Sequence, residues 1–254
     1  MNKIIAVANQ KGGVGKTTTA INVSCGLALK GKKVLLIDLD PQAHATIGLG
    51  IEPGSYQQAI HHVLVDKQDI SKAILSTETR NLHIVPSHIR LDRAEQQLIP
   101  EMYRETILHR AIRDLDYDYI IIDCRPTLGP LTINALFACH FIIVPCEMGR
   151  YSLEGFSDLM ETIDNVKQSE VLDKEKFVRI LLTKYDGRKS VSNDWVMAQL
   201  EPYKYLLFKN KIRQNEALNQ AHMAMESIFT FKKNSHGAED YENFTEEVLS
   251  LWSQ

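Results

Sequence analysis

An apolar, strand-like run, Ile4-Ile5-Ala6-Val7-Ala8, passes without a linker into Gln10-Lys11-Gly12-Gly13-Val14-Gly15-Lys16-Thr17-Thr18, and a helical pattern over Thr17–Lys30 follows at once. Few folds accommodate that transition. Gly12, Gly13 and Gly15 carry no Cβ, so the backbone can take positive φ and close around a compact anion. The N–H groups at the start of the following helix, together with its dipole, favour negative charge at that spot. Lys16 is placed to reach the outer phosphates of a nucleotide, and the Thr17 hydroxyl to ligate Mg²⁺. A tight turn alone would need neither the Lys-Thr pair nor the helix behind it, so residues Gly12, Gly13, Val14, Gly15, Lys16, Thr17 and Thr18 are predicted to bind nucleotide.

Further runs rich in Val and Ile recur along the chain: VLLID from Val34, LHIVP from Leu82, YIIID from Tyr119, FIIVP from Phe141 and FVRILLT from Phe177. Short continuous apolar runs suit strands covered on both faces, and their alternation with helices suits a parallel sheet. The expected fold is a P-loop NTPase of the α/β class, a doubly wound and mostly parallel sheet flanked by helices. Helices are predicted over Thr17–Lys30, Ser55–Val65, Arg104–Leu115, Leu131–Ala138, Leu153–Lys167, Val191–Leu200 and Ala238–Trp252. No repeat or Pro/Gly/Ser linker interrupts the pattern, so residues 1–254 are expected to form a single domain.

Composition narrows the function classes. Lys and Arg number 29 against 32 Asp and Glu, a net charge of −3, which excludes the global basic excess of a DNA coat protein. Any nucleic-acid surface must be local. Cys25, Cys124, Cys139 and Cys146 lie in or beside apolar runs without a C-x-x-C pair, and are expected to be buried thiols in a reducing cytosol. The amino end lacks the pattern of a signal peptide and no apolar stretch approaches 18 residues, so a cytoplasmic protein is expected.

Acidic residues at strand ends complete the nucleotide site. Asp123 closes YIIID, where a carboxylate would hold Mg²⁺, usually through water. Asp38 and Asp40 close VLLIDLD, at the carboxyl edge where open α/β sheets bind ligands. For Asp38, packing at the strand end, a network with Lys16 and a direct catalytic role remain open.

The pattern K-G-G-V-G-K-T-T resembles the deviant Walker A loop of the ParA/MinD ATPases. NQKGGVGKTTTAINV, VLLIDLDPQAHATIGLG, YDYIIIDCRPTLGPLTINAL, SLEGF at Ser152–Phe156 and the stretch Ser235–Tyr241 resemble blocks of the ParA-type, Soj-like partition ATPases in the same order. The resemblance covers nearly the whole chain and implies an ATPase using ATP and Mg²⁺. It implies that Lys11 contacts the nucleotide of the opposite subunit in an ATP-sandwich homodimer. Such a second cation stabilises charge on the transferring phosphoryl group much as an arginine finger does. Asp40 falls where the family orients the attacking water, which gives a catalytic set of Lys11, Lys16, Asp40 and Asp123 and metal ligands Thr17 and Asp123. The family also implies non-specific double-stranded DNA and a ParB-like adaptor protein as partners, no membrane, and a nucleoid-associated location.

Two departures stand out. Where the family usually has D-C-P-P, this chain has Asp123-Cys124-Arg125-Pro126. Arg125 frees φ, restores an N–H and adds a cation, expected either to be solvated or to reach the phosphates or the dimer partner. Leu207–Arg213 replaces an I-P-R-N-type segment beside the adenine, leaving Asn210 and Lys211 as the candidates there.

Between Lys174 and Lys233 there are 12 Lys/Arg against 6 Asp/Glu, a local excess of +6 that leaves −9 on the rest of the chain. Such asymmetry is the footprint expected for phosphate contacts without base reading. Lys184, Arg188, Lys189, Lys209 and Arg213 are the predicted DNA contacts, with Arg188 and Arg213 foremost.

Three other readings are open to the sequence. Positioning of a non-DNA cargo over the nucleoid would use the same ATPase. A MinD-like membrane positioner needs a basic amphipathic carboxyl-terminal helix, whereas AEDYENFTEEVLSLW is acidic. A nitrogenase-reductase-like carrier needs two exposed thiolates per subunit for a bridging Fe–S cluster.

Overall fold

The computed structural model describes residues 2–149, 155–169 and 176–252. Its strands are β1 (Lys3–Val7), β2 (Val34–Leu39), β3 (Leu75–Ser76), β4 (Leu82–Val85), β5 (Tyr119–Cys124), β6 (Phe141–Glu147) and β7 (Phe177–Thr183). They form one sheet in the order β3-β4-β2-β5-β1-β6-β7. Every pair is parallel except the short edge strand β3, which runs antiparallel to β4.

The helices are α1 (Lys16–Leu29), α2 (His44–Gly48), α3 (Ile60–Leu64), α4 (Arg90–Leu98), α5 (Ile107–Ile112), α6 (Pro130–Ala138), α7 (Phe156–Gln168), α8 (Ser190–Gln199), α9 (Glu216–Met223), α10 (Ile228–Phe231) and α11 (His236–Ser250). Strand periodicity decides which layer each packs on. Ile4, Ala6, Leu35, Ile37, Ile120, Ile122, Ile142 and Val144 meet helices α3 to α8 on one face. Ile5, Val7, Val34, Leu36, Tyr119, Ile121, Phe141 and Ile143 meet α1 and α9 to α11 on the other. Continuous apolar runs were required because neither face of the sheet reaches water.

The predicted helices are present, two of them much shorter than expected. Ser55–Val65 contracts to α3, with Pro53 and Gly54 in the turn region before it. Arg104–Leu115 becomes a 3₁₀ turn over Arg104–Thr106 and then α5, with Tyr103 in the left-handed region at the junction. Helices α2, α4, α9 and α10 had not been predicted; α2 and α10 offer only 5 and 4 residues of periodicity. Residues 152–154 of SLEGF, residue 153 of the predicted Leu153–Lys167 helix and Lys174 lie outside the described residues. Among the described residues no helix is long and apolar enough to cross a membrane.

Helix α1 is buried along almost its whole length between the sheet and α11. Gly26 permits that approach: a Cβ there would lie 2.3 Å from the Thr245 hydroxyl oxygen, and Thr245 is itself buried and donates to the Tyr241 carbonyl. In an exposed helix Gly→Ala gains about 0.5–1 kcal/mol. Here overpacking outweighs that gain, and Gly26→Ala is expected to destabilise the fold by about 1–2 kcal/mol. Thermal melting should show a Tm lowered by roughly 2–8 °C; an unchanged or raised Tm would mean that α11 yields without cost.

Candidate nucleotide site

The loop between β1 and α1 is held from both sides before any ligand is considered. The Asn9 side-chain amide donates to the Pro145 carbonyl at 2.7 Å, while its oxygen accepts the Lys11 N–H at 3.0 Å. From β7, the Thr183 hydroxyl donates to the Val14 carbonyl at 2.8 Å. Gly13 and Gly15 take φ of +74° and +92°, a region that disfavours residues bearing a Cβ. Gly15 precedes α1 without a side-chain cap, and the first turn of α1 contains no acidic residue. The helix start therefore retains its donors and positive dipole end for an anion.

Lys16 lies under this loop, buried, and donates from Nζ to the Lys11 carbonyl at 2.8 Å. Burial lowers its pKa, while the nearby Asp123 charge acts to raise it. Lys11 points its ammonium elsewhere, 3.7 Å from Glu147, whose other oxygen lies 3.4 Å from Lys184. Glu147 ends β6 and thus draws a predicted nucleotide lysine and a predicted DNA lysine to one carboxylate.

The carboxylates lie on adjacent strands. Asp38 and Asp123 are direct register partners across β2 and β5, and both are fully buried. Asp38 accepts the Thr46 N–H at 2.9 Å, the Thr46 hydroxyl at 2.7 Å and the Asp40 N–H at 3.1 Å. Of the roles left open for Asp38, these bonds fit packing at the strand end, because they anchor α2 to the sheet. Burial pushes its carboxyl up to about 6 despite these donors. Asp40, only half-buried, accepts the Gln42 N–H at 2.9 Å and stands one residue beyond β2.

Asp123 differs from both. Neither of its oxygens has a well-formed hydrogen bond, and the Thr17 hydroxyl is the one side-chain donor that acts on it. Burial, and then the Asp38 charge, raise its pKa well above the usual carboxylate range; the Thr17 hydroxyl and Lys16 act in the opposite direction. A buried carboxylate without well-formed hydrogen bonds is costly unless a cation completes it. Asp123 with the Thr17 hydroxyl is a hard oxygen set of the kind Mg²⁺ selects, so these residues fit that ion.

The remaining candidates occupy two places. Tyr185 and Arg213 pair across the end of β7, and a groove of about 470 Å³ beside them is lined by Asp186, Arg188, Arg213 and Gln214. The fold thereby brings the two predicted basic clusters together. The charge of the two arginines, however, is answered. Arg188 makes a bidentate pair with Asp186 at 2.9 Å, and Arg213 donates to Asp240 and Glu239 of α11. Lys189 reaches only the neutral Gln214 amide at 3.4 Å, and Lys209 donates its backbone N–H rather than its ammonium to Glu247. The excess of +6 counted along the chain therefore overstates the local charge, because acidic α11 packs against the segment. Asn210 gives its amide to Glu247 at 2.7 Å, and Lys211 stands 4.5 Å from the centre of the Tyr185 ring.

Arg125 is not the solvated side chain that one expectation had it: it is mostly buried and paired with Glu95 and Asp92 of α4. All four cysteines are buried, as expected, and burial pushes the Cys124 thiol well up. Asn9, Glu147, Thr183 and Glu95 were not anticipated. Asn9 and Glu147 are adjacent in sequence to recognised elements and Thr183 closes the recognised run FVRILLT, whereas nothing local in sequence marks Glu95.

A family model described as an AAA domain matches residues 2–177. The chain is 41% identical over 253 residues to the sporulation initiation inhibitor protein Soj of Bacillus subtilis (strain 168), covering 98% of this chain and 99% of that protein. It is 40% identical over 243 residues to the chromosome partitioning protein ParA of Myxococcus xanthus (strain DK1622), covering 95% and 86%. In three dimensions it is similar to cobyrinic acid a,c-diamide synthase from Mycobacterium smegmatis with bound ADP and magnesium, at a TM-score of 0.87 and 34% identity, covering 100% of this chain and 96% of that one.

Two buried carboxylates side by side cost stability when no cation is present. In metal- and nucleotide-free protein Asp123→Asn is expected to raise stability by about 1 kcal/mol and Tm by roughly 2–4 °C. A thermal scan decides this, and a lowered Tm would mean that the carboxylate is needed for packing rather than for a ligand.

Proposed function

The chain belongs to the ParA/Soj family of chromosome-partitioning ATPases, and from that premise we propose that it hydrolyses ATP at residues 11–18 to control its hold on DNA. The observation that carries this reading is the buried Asp123 carboxylate, without a well-formed hydrogen bond, beside Thr17 and Lys16, at the uncapped start of α1. Structural rigidity alone would not favour such an arrangement, whereas nucleotide chemistry requires it.

The residues divide the work by their chemistry. The backbone of Gly12 to Thr18 cradles the phosphates, and Lys16 neutralises the outer ones from within the loop. Mg²⁺, held by the Thr17 hydroxyl and Asp123, would supply charge neutralisation for the transferring phosphoryl group. Asp40, half-buried and outside the strand, orients the attacking water.

Lys11 leaves Glu147 and reaches the nucleotide of a second copy when two chains close on two ATP molecules. The pair it gives up is long and partly exposed and costs little, on the order of 1 kcal/mol. The groove at Tyr185 and Arg213, lined by Arg188 and neighboured in the chain by Lys184 and Lys189, supplies the DNA face together with Lys209. Asn210 and Lys211 are assigned to the adenine side. A ParB-like adaptor stimulates hydrolysis and so releases the DNA, with the protein acting at the nucleoid.

Binding to random-sequence duplex DNA tests this reading. Retention is expected with ATP and not with ADP, and should weaken on the order of 100-fold between 50 and 200 mM salt. Equal binding in both nucleotide states would overturn the switch. Lys16→Ala should abolish nucleotide binding in a direct titration.

Asp40→Ala should keep ATP-loaded protein on DNA, with turnover reduced on the order of 100-fold or more. Rapid release from DNA by that variant would remove Asp40 from the hydrolytic role.

A further inference from the structure

The segment leaving Asp123 is tied to a helix outside the nucleotide site. Cys124 ends β5, and Arg125 extends its guanidinium to α4, where it pairs with Glu95 and lies 3.3 Å from Asp92. Asp92 and Glu95 are one turn apart on the same side of α4. The opposite requirement, that α4 itself be fixed, is met by Leu91, Ala94 and Leu98, which are buried in the core.

Glu95 has a second duty. Its other oxygen accepts the Leu131 N–H at 3.3 Å, in the first turn of α6, and a methyl group at Gly129 would overlap this carboxylate. One nearly buried carboxylate therefore holds both ends of the loop from residue 125 to residue 131. Just past the second end, the Thr132 hydroxyl donates back to the Thr127 carbonyl within the loop at 2.6 Å. The Arg125 side chain is 18% exposed and that of Glu95 is 9% exposed, so this pair is shielded from the screening that weakens surface pairs.

We infer that Arg125 and Glu95 are positioning residues for Asp123: they fasten the loop behind it to α4, so that loop and helix respond to bound nucleotide as one body. A proline at this position would restrict φ by its ring alone. Here a side-chain tether replaces that covalent restraint, and it connects the phosphate site to α4 as a proline could not. The inference rests on the nucleotide site proposed above and adds to it a route to the surface of α4.

The test is a double-mutant cycle on the full chain with Arg125→Ala, Glu95→Gln and the two combined. It reads steady-state ATP turnover and hydrogen exchange at the amides of residues 127–131 and 90–98. Each single variant should lower kcat by roughly three- to tenfold while KM for ATP stays within about twofold, because the loop of residues 12–18 is untouched. The combined variant should be no slower than the slower single one, since both remove the same link.

Exchange at residues 127–131 should rise by about tenfold or more in every variant, with α1 unchanged. Nucleotide should protect residues 127–131 and 90–98 together in the parent and only the first group in the variants. Arg125→Lys, which keeps a charge but not the planar fork, should recover part of the lost turnover. It also completes the cycle if Arg125→Ala does not fold.

Additive effects on kcat, or exchange at residues 127–131 equal to the parent, would overturn the tether. Absence of turnover in the unaltered protein would be a failure of the ATPase reading instead. In that case the exchange measurements decide the tether by themselves.

Discussion

A carboxylate buried without a well-formed hydrogen bond is a cost that folding alone does not repay, and Asp123 imposes that cost at the carboxyl end of the central strand pair. Its register partner Asp38 carries a second carboxylate into the same dry layer. Lys16 is the nearby counter-charge, yet its ammonium is already hydrogen-bonded to the Lys11 carbonyl. Much of the surrounding structure serves to keep this strained electrostatic arrangement in place. Asn9 and Thr183 pin the loop, Thr46 satisfies Asp38, and the apolar layers on both sheet faces exclude water. The same exclusion makes the site effective, because charges interact more strongly where the dielectric is low.

The surface shows the reverse economy. Basic residues that look unopposed along the chain meet acidic partners once α11 folds across them. Arg213 is held by Asp240 and Glu239, and Lys30 of α1 by Glu242 and Glu246. Paired arginines at a groove are not lost to a polyanion. A phosphate competes with the carboxylate, and Arg188, which is exposed although its partner Asp186 is not, can exchange between them. The reversible hold on DNA proposed above would call for contacts of that modest strength, and a strongly basic face would not release readily.

Glu147 and Glu95 act at a distance from the phosphates in different ways. Glu147 is partly exposed and holds Lys11 and Lys184 through long, screened contacts that a ligand can displace. Glu95 is nearly buried and holds Arg125 and the start of α6, where loss of one partner leaves the other charge stranded. The first is suited to being given up during a reaction cycle, the second to transmitting a displacement.

The sequence by itself determined the strand runs, the glycine loop, the Lys16-Thr17 pair and the placing of Asp123 at a strand end. These depend on backbone sterics and on periodicities of two and 3.6, which are local properties of a chain. It also supported the blocks that resemble a known family. Tertiary structure alone decided that Arg125 is clamped by Glu95, 30 residues away, that Thr183 secures the loop from β7, and that α11 answers the basic segment. It also cut Ser55–Val65 down to the short α3. A charge count along a chain cannot see a neighbour brought from a distant element. Ion pairs and hydrogen bonds form between whatever side chains the sheet order and helix packing make adjacent, and that adjacency exists only once the chain has folded.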